Sequence, residues 1–177
     1  MNTKDYYVDQ YKQYHNIRKS YGDSYRHQHK IICGLVKQTE SKTLLDYGCG
    51  KGKQYTEKNL HKAWGFMPDL YDPAIEEFSA LPDKMYEGIY STDVMEHIPE
   101  EVLPEVFEYI FTHSSKFVFL GISSSLARAI LPNGENAHCT VETLDWWEEK
   151  INSIVEIKTP TWIKTYGTKC NRMKQIW

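Results

Sequence analysis

Acids and imidazoles at four places along the chain have the types and spacing for chemistry. Thr43-Leu44-Leu45-Asp46 carries an apolar run into a carboxylate, and Tyr47-Gly48-Cys49-Gly50-Lys51-Gly52 follows with glycine at every second position. A buried strand that breaks into a tight loop reads this way, and the glycines leave room for a flat ligand against the backbone. A helix beginning after the loop would turn its unpaired amides toward that ligand. Asp72 ends an apolar and aromatic stretch that starts at Ala63. It stands about 20 residues past the loop, where an acid accepts hydrogen bonds from ribose hydroxyls. Asp69 is the rival, but Pro68 beside it suits a strand entrance or edge, so Asp72 is preferred. Farther on, Asp93, His97 and His138 offer a carboxylate and two groups able to move protons near neutral pH. The pattern points to a nucleotide-like ligand; the plainer reading of the loop is a strand-to-helix connector.

The spacing G-x-G-x-G differs from the dinucleotide fingerprint G-x-G-x-x-G. With an acid two residues before the first glycine, it resembles motif I of the class I S-adenosylmethionine-dependent methyltransferases. Thr92-Asp93-Val94-Met95-Glu96-His97-Ile98-Pro99 is similar to the Asp-Val-Leu-Glu-His-Ile segment at the end of the fourth strand in many small-molecule members. The resemblance covers residues 43–122 well and the remainder loosely.

It implies an α/β fold: a three-layer Rossmann-like sandwich whose mostly parallel sheet has seven strands, or slightly fewer, with an antiparallel C-terminal hairpin and N-terminal helices packed as a lid. It also implies S-adenosylmethionine as cofactor, held by Asp46, Tyr47, Gly48, Cys49, Gly50, Gly52, Asp72, Pro73, Asp93 and Val94. Ser79, Ala80 and Leu81 are the expected adenine wall, because the segment after Asp72 is too short for the usual helix and strand. His97, His138 and Asp93 are the catalytic candidates. For His97 the alternative is a tie between strand and helix, and for His138 simple exposure. Asp93 would contact the methionine amino group or orient the acceptor. Cys49 reads as a small packing residue rather than a thiol nucleophile.

The elements that must position these groups follow from periodicity. Tyr7, Tyr11, Tyr14, Arg18 and Tyr21 stripe one face of a first helix, which Gly22 and Asp23 end. Such a stripe is either packing or a lid, lined then by His15, Tyr21, His27 and His29. Ser24 is positioned to cap a second helix with Ile31, Ile32, Leu35 and Val36 on its apolar face. A short helix is expected over Lys53–His61, a strand ending at Asp72, and a β segment at Phe78–Pro82. Gly88–Asp93 and Phe117–Ile122 read as further strands, separated by a helix that buries Val102, Leu103, Val106, Phe107, Ile110 and Phe111. Ser123, Ser124 and Ser125 are expected to cap a short helix over Leu126–Leu131 or to touch substrate. Residues 132–139 form a polar loop, Thr143 caps a helix containing Trp146 and Trp147, and residues 154–158 and 169–176 alternate as a terminal strand pair.

The 177 residues suit one domain, 1–177, divided into a helical cap at 1–40 and a Rossmann-like core at 41–177. A composition of 41% apolar and 14% aromatic residues belongs to a globular chain rather than a disordered one. The net charge of −3, with a strongly acidic stretch from Asp69 to Ser115 opposed only by Lys84, argues against duplex nucleic acid as partner. No apolar run approaches a membrane span, and the four separated cysteines suit neither a disulfide framework nor a zinc site. His27-x-His29 with Cys33 lacks a fourth ligand, so no metal is assigned. The expectation is a cytoplasmic enzyme acting on a small-molecule or sugar-type acceptor. The alternatives are a noncatalytic S-adenosylmethionine-binding interaction module and, less favoured, a nicotinamide-dependent enzyme.

Overall fold

The computed structural model describes residues 2–18 and 28–177. The expectations for Tyr21, Gly22, Asp23, Ser24 and His27 fall outside that range. The elements are α1 (Thr3–Ile17), α2 (His29–Gln38), β1 (Leu44–Tyr47), α3 (Lys53–Thr56), β2 (Asp69–Tyr71), β3 (Tyr86–Thr92), α4 (Leu103–Thr112), β4 (Ser114–Ser123), α5 (Leu144–Ile154), β5 (Thr161–Tyr166) and β6 (Arg172–Ile176).

Six strands form one sheet in the order β2-β1-β3-β4-β5-β6, parallel except for the antiparallel edge pair β5 and β6. Alternate residues of each central strand feed opposite faces, which makes three layers. Leu44, Tyr90, Phe117 and Phe119 pack under Ile32, Leu35 and Val36 of α2. Leu45, Ile89, Val118, Leu120 and Ile122 pack under Val106, Phe107 and Ile110 of α4 and Trp147 and Ile151 of α5. Burial on both faces explains why most of β4 reads as an unbroken apolar run and why β1 is apolar up to Asp46. Gly88 sits where the register of β3 against β4 shifts, and a Cβ there would lie 2.1 Å from Phe117 Cε1, so glycine is what lets that ring cross the strand.

Several local expectations are corrected. The helix over Lys53–His61 breaks: α3 is a single turn, and a 3₁₀ turn at Leu60–Ala63 follows Asn59, which takes a left-handed backbone at φ 53°. Asparagine tolerates that conformation. The second strand shrinks to Asp69–Tyr71. No strand forms at Phe78–Pro82, because Asp72 N–H donates to Phe78 O and folds the chain back through a 3₁₀ turn at Glu76–Phe78. The sheet therefore has six strands, and Asp93 follows the third strand rather than the fourth.

The helix expected over Leu126–Leu131 is also absent. Asn136 grips Ala127 through both its backbone N–H and its carbonyl, and Leu131 N–H and Ala137 N–H donate to Glu135 O and Ala129 O, which makes the segment an irregular hairpin. Ser124 Oγ instead bonds Cys170 at the base of the β5–β6 turn. The fifth strand begins at Thr161 rather than Ile154, since the helix capped by Thr143 runs on to Ile154. No helix among the described residues is long and apolar enough to cross a membrane.

Candidate active site

The site lies where β1, β2 and β3 end, and its floor is set by backbone. Gly48 N–H and Cys49 N–H both donate to Tyr71 O, at 2.7 and 3.0 Å, and Gly50 N–H donates to Asp72 Oδ2 at 2.9 Å. The loop is thereby stitched to the end of β2. Gly48 needs its φ of 87° and its missing side chain for an internal reason: a Cβ would stand 2.2 Å from Val94 Cγ2. The room left by this glycine is taken by the protein's own valine. The amides of Gly48, Cys49 and Gly50 are taken by Tyr71 O and Asp72, and the helix after the loop, α3, is one turn long.

Asp46, Tyr47, Gly48, Cys49, Gly50, Asp72, Pro73, Asp93, Val94 and His97 line one cavity, together with His15, Tyr7 and Tyr11 of α1. Gly52, Ser79, Ala80, Leu81 and His138 do not line it. Gly52 caps α3 near Leu70 and Phe78, and the turn after Asp72 carries residues 79–81 away from the wall, with Leu81 40% exposed. Asp69 is also remote from the cavity, taken by Lys84 and Tyr86. His29 faces Trp64. Sequence reasoning missed Gln54, Tyr71, Ala74, Thr92, Val102 and Val106 as lining residues. Gln54 lies on α3, Tyr71, Ala74 and Thr92 lie at or just past the ends of β2 and β3, and Val102 and Val106 lie at the start of α4 and within it; those places were the available signal.

The acids differ in their surroundings. Asp46 is buried and accepts from Tyr55 OH, which also bonds Tyr90 OH, and from Gln54 Nε2. Burial outweighs these donors and raises its carboxyl to about 7. Asp72 accepts from Gly50 N–H and Ala74 N–H, and burial again pushes it upward. Asp93 holds a left-handed φ of 55°, a conformation costly for most residues and tolerated by aspartate, and takes a hydrogen bond from Tyr166 OH. Glu96, which the sequence reading quoted but gave no role, is fully buried; its Oε1 accepts from Ser123 N–H, and burial with the neighbouring Asp93 drives it well above the carboxylate range.

The roof is made by α1 and the loop at 131–138. Tyr11 OH donates to Ala137 O, Tyr7 OH to Glu135 Oε2 at 2.8 Å, and Asn133 N–H to Gln10 Oε1 at 3.0 Å. Tyr14 is buried with Leu131 and Ala137. Of the tyrosine stripe, Tyr14 packs and Tyr7 and Tyr11 line the cavity. His97 Nδ1–H donates to Ala137 O at 2.7 Å, and burial with His138 nearby lowers its pKa to about 3. A neutral imidazole so tied is a poor general base, and the tie runs to the 131–138 loop rather than between strand and helix. His138 stands behind it, rings in edge contact at 4.6 Å, with its own Nδ1 on Ser125 O.

A cavity of this kind, at the carboxyl edge of a parallel sheet, is where an open α/β fold binds ligands. No curated protein and no solved structure matches the chain. A family model described as "Methyltransferase domain" matches residues 25–161, well over half of it. The chain belongs to the methyltransferase-domain family, with the Rossmann-like α/β fold that its motifs led one to expect.

Proposed function

We propose that this protein transfers a methyl group from S-adenosylmethionine to a small-molecule acceptor that enters beside α1. The observation that carries this reading is the charge of the cavity. Asp46, Asp72 and Asp93 face it, the first two with carboxyls raised by burial that a cation would draw back to the charged form; His15 and His97 are held neutral by burial, and Lys4, paired with Glu105, is the only lysine or arginine among the described lining residues. A ligand with a sulfonium and an ammonium group is favoured there, whereas the pyrophosphate of a nicotinamide dinucleotide would meet acids and loop amides already bonded elsewhere.

In this reading Asp72 accepts from the ribose hydroxyls with lone pairs left over after Gly50 and Ala74, and Asp46 and Asp93 face the methionine part. When bound, the cofactor supplies a methyl group on an electron-poor sulfur, open to in-line displacement by an acceptor lone pair. The chain's main contribution is alignment, which can lower such a barrier by on the order of 7 kcal/mol. Tyr7, Val8 and Tyr11 keep water out, and Ile98, Pro99, Val102 and Val106 give the acceptor an apolar wall. The free cysteines Cys33, Cys49, Cys139 and Cys170 support a cytoplasmic setting for the reaction.

Calorimetric titration with S-adenosylmethionine, S-adenosylhomocysteine and NADH, followed by methyl-transfer assays on an acceptor panel, tests the reading. Binding of the first two and not the third is expected. Asp72→Asn should weaken S-adenosylhomocysteine at least tenfold in a folded protein, and an unchanged affinity rejects the ribose role. Tight binding without turnover on any acceptor would favour a noncatalytic module.

A further inference from the structure

We propose that Glu96, His97 and His138 form a binding site for a divalent transition-metal cation of the zinc class. One carboxylate oxygen and one nitrogen from each ring lie within 4.8 Å of one another. Ligand atoms of a tetrahedral ion with bonds of about 2.1 Å are about 3.4 Å apart, so closing the set takes a contraction of up to about 1.4 Å. His138 stands on the loop after the irregular hairpin, outside any helix or strand.

Two features independent of that spacing point to an ion. Both imidazoles are held from behind by a main-chain carbonyl, His97 Nδ1–H by Ala137 O at 2.7 Å and His138 Nδ1–H by Ser125 O. Metal-ligating histidines are fixed in this way, since the carbonyl sets the tautomer and leaves the lone pair on Nε2. Second, Glu96 is 0% exposed; Oε1 takes Ser123 N–H, while Oε2 finds no N–H donor among the described residues and the side chain meets the carboxylate of Asp93. Two acids brought together in a buried place repel unless a proton or a cation stands between them, and a cation there satisfies both. Two nitrogens and one oxygen favour a borderline ion over magnesium or calcium, which take oxygen ligands. His97 also lines the cavity, so the ion would stand at its wall.

The test uses the full chain, stripped with chelator and titrated with Co²⁺ by visible absorption and with Zn²⁺ by calorimetry. Neither readout needs cofactor or turnover, so this proposal and the methyltransferase reading fail separately. One equivalent of either ion should bind, with d–d bands for Co²⁺ that Zn²⁺ abolishes and excess Mg²⁺ does not. His138→Ala and Glu96→Gln should each weaken binding at least tenfold at unchanged circular dichroism, while His113→Ala binds like the parent. Should Glu96→Gln fail to fold, the loop variant His138→Ala decides alone. Absence of saturable one-equivalent binding, or equal affinity in His138→Ala, overturns the site.

Discussion

The floor and the roof of the cavity are built by different physics. In the floor, β1 is buried throughout and the glycine loop hangs from Tyr71 O and Asp72 by main-chain amides. In the roof, α1 buries Tyr14 in a small apolar cluster flanked by Tyr7 and Tyr11, and meets the rest of the protein also through hydroxyls, amides and exposed charges. Buried backbone contacts resist local opening, whereas side-chain contacts at a solvent edge give way first. The difference teaches that the ligand-facing geometry can stay fixed while access to it changes.

The comparison breaks most sharply at Gly88, beneath the floor. Gly88→Ala would drive Cβ into Phe117 and Leu44, both buried, and should cost about 3 kcal/mol in urea unfolding, at the upper end for overpacking. A variant as stable as the parent would mean that the sheet yields there.

His15 of α1 gives a pH signature of comparable size. Burial first, and Lys51 second, lower its pKa from 6.5 to about 4, so the folded state binds fewer protons than the unfolded chain between those values. Stability from this group is complete above pH 6.5 and is lost as pH falls toward 4, by up to roughly 3 kcal/mol. His97 adds a loss of the same sign, and Asp46, whose pKa is raised, opposes both by losing stability as pH rises from about 4 to 7. His15→Asn isolates the first of these: the difference from the parent in unfolding free energy should change with pH between 6.5 and 4 and be flat above. A constant difference would show that His15 does not stay neutral.

Tyr11→Phe removes the donor to Ala137 O and should cost about 1 kcal/mol, read from the thermal midpoint. Its sharper use is kinetic, because a loosened roof should speed ligand release in stopped-flow without altering the floor. Lys4→Ala loses a pair whose partner Glu105 is largely exposed, and a change within about 0.5 kcal/mol is expected. A larger loss would promote the roof's surface charges to a structural role.

The same division explains what could be read in advance. Asp46, the alternating glycines, Asp72 and the Asp93–His97 segment were legible because each marks the end of a buried strand, where residue type follows from local backbone needs. Ser79, Ala80 and Leu81 were misplaced because a seven-residue fold-back closed by Asp72 N–H on Phe78 O leaves no pattern of period two or 3.6. Glu96 was overlooked since one glutamate in a turn looks solvated until the end of β4 closes over it.

By itself the sequence determined the α/β class, the parallel core and the carboxylates at its edge, for hydrophobic periodicity and glycine placement act over a few residues. Only the tertiary structure decided that Val94 fills the room beside Gly48, that the loop amides turn inward, and that α1 meets the 131–138 loop over the cavity. Those contacts join segments far apart in the chain, and nothing in the local pattern of either partner encodes the other.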